Sequence, residues 1–85
     1  MMLMVTWEPG KESEDFVNEL KSLGNWSNRV PGAWILDTPL APQKVRDLLG
    51  TKMPGERLFV ARITQNWAGR NMGTQFPEWM KRRQF

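Results

Sequence analysis

The chain has 85 residues, with five tryptophans, four phenylalanines, no histidine, no cysteine and a formal net charge of +3. At this length one domain of two layers around a small core is expected. The absence of imidazole and thiol excludes the commonest catalytic bases, sulfur nucleophiles, disulfides and zinc sites, so any chemistry falls to carboxylates, hydroxyls and hard cations. The charge is uneven: residues 1–60 carry seven Lys/Arg against eight Asp/Glu, whereas residues 61–85 carry five against one.

Met2 to Trp7 is a β-compatible run that Pro9-Gly10 interrupts, and this predicts a first strand. The run has no basic leading segment and is too short to span a bilayer, so a soluble, cytoplasmic protein is expected. A helix should follow. Ser13 can cap it, Glu14 and Asp15 suit its positive end, Phe16, Val17, Leu20 and Leu23 share one face, and Gly24 can stop it. Trp26 to Val30 and Ala33 to Thr38 bracket Pro31-Gly32, which predicts two strands joined by a tight reversal. Pro42 can open a second helix in which Val45, Leu48 and Leu49 face one way and Gly50 ends the pattern. Pro54-Gly55 then turns the chain into a last strand, Arg57 to Ile63.

The order of strand, helix, strand, strand, helix, strand predicts an α+β fold, a ferredoxin-like β-α-β-β-α-β plait with both helices on one sheet face. Phe59, Ala61 and Ile63 alternate with Leu58, Val60 and Arg62, so the last strand is apolar on both faces, and its second face is expected to meet another chain. Residues 1–70 would form the ferredoxin-like domain. Residues 71–85 would form a basic C-terminal extension, with Asn71-Met72-Gly73-Thr74 as a turn and Pro77 opening a short helix. Trp79 and Met80 in that helix can complete or cover the open sheet, in the same chain or in a dimer mate.

Four segments carry a family resemblance: Val5-Thr6-Trp7-Glu8, Ala33-Trp34-Ile35-Leu36-Asp37-Thr38, Val45-Arg46-Asp47-Leu48-Leu49, and Leu58-Phe59-Val60 leading to Trp67-Ala68-Gly69. In these the chain resembles the small SinR-like family, itself similar to the CRISPR-associated Cas-two proteins. The resemblance implies a ferredoxin-like protomer and a homodimer whose C-terminal segments complete or cover the sheets. Cas-two-like proteins carry an aromatic-acid pair at the end of the first strand, where acids of two protomers face one another and bind a divalent cation for phosphodiester hydrolysis. Here that pair is Trp7-Glu8. Glutamate keeps the oxygen ligands of aspartate but reaches one methylene further and loses more rotamer freedom when fixed.

Glu8 is therefore the candidate catalytic and metal-binding residue, with magnesium or manganese as the cation if the protein is a nuclease; the alternative is an exposed acid at a strand end. Asp37, next to Thr38-Pro39, reads first as a turn cap. Arg62, Arg70, Lys81, Arg82 and Arg83 are candidate phosphate contacts, with Trp79 able to stack on a base or anchor a partner; the alternative keeps Trp79 in a packed cover and the cations in water. Pro54-Gly55 and Asn71-Met72-Gly73 lack the spacing and the Lys-Ser/Thr pair of a phosphate loop, which excludes a nucleotide-triphosphatase reading. The expected function is homodimeric DNA or RNA binding. A metal-dependent endonuclease and a protein-interaction or inhibitory factor stand as alternatives.

Overall fold

The computed structural model describes residues 1–85. In chain order the elements are β1 (Met2–Trp7), α1 (Glu14–Ser22), β2 (Asn25–Ser27), β3 (Ala33–Asp37), α2 (Pro42–Gly50), β4 (Leu58–Ile63) and α3 (Phe76–Lys81). The four strands form one antiparallel sheet in the order β2-β3-β1-β4, which makes this an α+β fold. No helix is long and apolar enough to cross a membrane.

β1 is central, and its register places Met4 opposite Ile35 on one side and Ala61 on the other. Because side chains alternate along a strand, Leu3, Val5 and Trp7 face one way and Met2, Met4 and Thr6 the other. The first set packs with Trp34 and Leu36 of β3 against Phe16 and Leu20 of α1 and Val45 and Leu49 of α2, so both long helices lie on the same face. Local chemistry starts these helices where the residue types suggest. The Ser13 hydroxyl accepts from the Phe16 amide at 3.1 Å, and Pro42 occupies the first turn of α2, where its missing N–H costs nothing.

The second face carries a smaller cluster. Met2 of β1 packs with Phe76 and Met80 of α3, flanked by Ile35, Ile63, Met72, Trp79 and Phe85. The chain's own C-terminal segment thus covers one end of this face, where the alternation in β4 suggested contact with another chain. At the other end Phe59 is 61% exposed.

Two boundaries differ from the sequence reading. β2 is only Asn25–Ser27, because the residues up to Val30 leave the sheet to build the reversal, in which the Ala33 amide donates to the Val30 carbonyl and Gly32 adopts a φ of +79°. Gly24 does not end α1 by a left-handed turn. Leu23 caps that helix, and the space at Gly24 is taken by β3: a Cβ there would lie 2.0 Å from the Asp37 carbonyl oxygen.

Gly24→Ala should therefore destabilise the fold by about 1–3 kcal/mol, as overpacking does. Gly50→Ala, at a helical position with nothing within 4 Å, should be neutral or stabilising by up to ~1 kcal/mol. Denaturant unfolding of both variants checks the contrast, and equal effects would contradict the close approach of residues 24 and 37.

Candidate functional site

Glu8 follows β1 and Arg57 precedes β4, and the pairing of Trp7 with Leu58 sets them side by side. Arg57 Nε donates to Glu8 Oε2 at 2.5 Å and its Nη2 donates to Oε1 at 3.0 Å, a two-point ion pair that uses both carboxylate oxygens. The backbone continues the ladder beneath it, with the Glu8 amide donating to the Arg57 carbonyl at 3.0 Å. The Glu8 carboxyl is held below its ordinary value of 4.5 chiefly by the hydrogen bonds from Arg57; desolvation pulls the other way and is outweighed once the charges of Arg57 and Lys11 are added. Arg57 is shifted upward by the same hydrogen bonds and by the charge of Glu8.

This pair lines an open concavity of about 630 Å³ that also includes Thr6, Trp7, Glu56 and Phe59. No three acidic side chains of the chain gather in one place. For a divalent cation to use Glu8, Arg57 would have to release at least one of the two oxygens.

The basic candidates divide by their partners. Lys81 Nζ lies 3.4 Å from Glu78 Oε1, one helical turn away. Arg62 donates through Nη2 to the Phe85 carbonyl oxygen at 2.6 Å. Arg83, with a side chain only 14% exposed, reaches Asp37 Oδ2 at 3.4 Å and sets its guanidinium carbon 4.8 Å from the Trp79 ring centre. Its Nε is buried without a partner. Trp79 meets Phe76 in a near-parallel stack at 6.3 Å, so Phe76 and Arg83 already occupy the ring that was a candidate for base stacking. Arg70 and Arg82 are exposed and make no ion pair.

Asp37 is a charge partner and not the turn cap. It accepts from Arg83 and lies 3.8 Å from the Met1 ammonium, whereas the turn belongs to Thr38, whose hydroxyl accepts from the Leu40 amide at 3.2 Å.

Two grooves flank the short β2 edge. One is lined by residues that include Asn25, Asp37, Arg82 and Arg83, and the other by Trp26, Asn28, Arg29 and Trp79 among others. Lys21 adds its ammonium 4.9 Å from the Trp26 ring centre. The sequence reading did not single out Lys21 or Arg29. Each is a lone cation in the linear sequence, and folding brings Arg29 to a groove it shares with Trp79.

Because the folded-state pKa of Glu8 lies below its ordinary value, its ion pair adds stability that is present above about pH 4.5 and is lost as pH falls through the lowered value. Carboxyl chemical shifts followed against pH should show Glu8 titrating below 4.5 in the native protein and returning to the ordinary range in Arg57→Ala. An unchanged titration in that variant would remove Arg57 as the cause.

Comparison with protein-family models, with curated proteins and with solved structures gave no match for this chain.

Proposed function

We propose that the chain is a ferredoxin-like protomer, akin to the SinR-like and Cas-two-like proteins, that forms a homodimer and binds nucleic acid through the margin of its sheet around β2. The strand order β2-β3-β1-β4, with both long helices on one face, supports the plait. The observation that carries the binding reading is the convergence of Arg29, Arg82 and Arg83, from two parts of the chain, on the two grooves beside β2, with Lys21 over the ring of Trp26. Asp37 is the one acid lining those grooves, and Arg83 already pairs with it. A surface of this sign attracts phosphates whatever the base sequence, because each neutralised phosphate releases condensed counterions.

Phe59 supports the dimer. It is the most exposed large apolar side chain, on the part of the second sheet face that the C-terminal segment leaves open, and it adjoins the concavity holding Glu8. A second copy seated there would bury the ring and bring the two Glu8–Arg57 pairs toward each other. Metal-assisted phosphodiester cleavage would then require the cation to displace Arg57 from Glu8.

Binding of labelled DNA and RNA oligonucleotides should weaken steeply with salt. Arg29→Ala and Arg82→Ala should each lower the slope of log affinity against log salt by about one, and Glu8→Ala should leave it unchanged. Negligible association at low and high salt alike would refute the binding reading. Sedimentation equilibrium checks the dimer separately: Phe59→Glu should shift the protein to monomer with its unfolding midpoint retained, and a wild-type monomer at high concentration would exclude that assembly.

A further inference from the structure

Four of the five indoles are spoken for. Trp7 and Trp34 are buried, Trp26 is stacked on Trp34 with Lys21 near its ring, and Trp79 lies between Phe76 and Arg83. Trp67 differs. It is 37% exposed, it lies in the basic part of the chain after β4, and its one ring contact is a perpendicular one with Phe76 at 5.8 Å. Phe76 is itself 5% exposed and fixed in the second cluster, so it anchors the indole without covering it. The backbone before Trp67 is pinned as well, since the Asn66 amide donates to the Thr64 hydroxyl at 3.2 Å.

The ring borders a largely apolar recess that carries two polar side chains, Asn71 and Thr74. A cavity of about 380 Å³ beside it is bordered by Asn71, Thr74 and Pro77 as well as by the indole. That volume lies within the range of small-ligand pockets, about 300–1,000 Å³. Gly73, with a φ of +86°, closes the turn on one side, and the Arg29 guanidinium lies so close that a Cβ on Gly73 would sit 3.4 Å from its central carbon. Arg70 stands in the same loop. Neither Arg29 nor Arg70 makes an ion pair, so both guanidinium groups are free to meet an anion.

An anchored, partly open indole beside a recess with an amide and a hydroxyl, in a loop that carries the unpaired Arg70 and whose Gly73 lies against the unpaired Arg29, matches what an unpaired nucleobase and its two phosphates present. We propose that Trp67 is a stacking platform for one base of a single-stranded nucleic acid, with Arg29 and Arg70 holding the flanking phosphates and Asn71 and Thr74 within the same cavity to meet the base edge. The proposal rests on the nucleic-acid reading above and narrows it, because a base paired inside a duplex cannot reach such a ring. In the linear sequence Trp67-Ala68-Gly69 reads only as shaping a turn, since the exposure of Trp67 depends on how the other four indoles pack.

The test measures binding of a labelled twelve-nucleotide single strand, the same strand with its bases removed, and a twelve-base-pair duplex to the full chain at low salt. Trp67→Ala should weaken single-strand binding about tenfold and leave duplex binding and the unfolding midpoint unchanged, whereas Trp67→Phe should retain most of the affinity. The base-free strand should bind the wild-type chain about as weakly as the intact strand binds Trp67→Ala, a comparison that needs no variant to fold. Equal binding of base-free and intact strands, or equal loss of single-strand and duplex binding in Trp67→Ala, overturns the platform while leaving the basic-margin reading in place. No binding of any of the three probes by the wild-type chain overturns both.

Discussion

Everything in this molecule hangs on a central strand that is apolar on both sides. β1 gives Leu3, Val5 and Trp7 to the core beneath the long helices and Met2 to the cluster under α3, and it hydrogen-bonds to β3 and β4 along its two edges. A short chain gains much from such a strand, because one six-residue segment takes part in two packing layers. The same economy imposes an obligation, since the second face must be covered or remain exposed apolar surface. The C-terminal segment meets it where Met2, Ile35 and Ile63 lie, and Phe59 marks where it does not.

Electrostatics follows from the way this cover is fastened. Arg83 leaves α3, stacks on Trp79 and turns in to Asp37, which ties the basic end to the end of β3. A guanidinium used in this way is no longer fully available to solvent, and Lys81 and Arg62 are likewise engaged, with Glu78 and the Phe85 carbonyl. The linear excess of positive charge in the last 25 residues therefore overstates what the surface offers there, while Arg29, outside that stretch, adds to it. The charged margin is a tertiary property.

Much of the fold was legible because it is written in local signals: the Ser13 cap, Pro42 at a helix start, Pro31-Gly32 at a reversal, the β-compatible run of β1 and the alternation in β4. What was illegible depends on contacts between distant residues. Gly24 looked like a helix stop, yet its lack of a side chain answers to the Asp37 carbonyl. Glu8 looked like a free acid because Arg57 is 49 positions away, and only the antiparallel register of β1 with β4 makes them neighbours. Opposite charges at the outer ends of two predicted strands were the available clue. Trp79 read as the candidate stacking ring and Trp67 as part of a turn, and only packing shows that the first is enclosed and the second open.

The two borders of the sheet resist stray strand addition by different means. β2 offers only three residues, too few to template a ribbon, whereas β4 is six residues long and interrupted by neither proline nor glycine. Its safeguard is Arg62 within the strand and Arg57 just before it. Were chains to pile up in parallel register along this border, as in an amyloid fibril, each guanidinium would lie over its own copy about 4.8 Å away, a repulsion repeated at every rung.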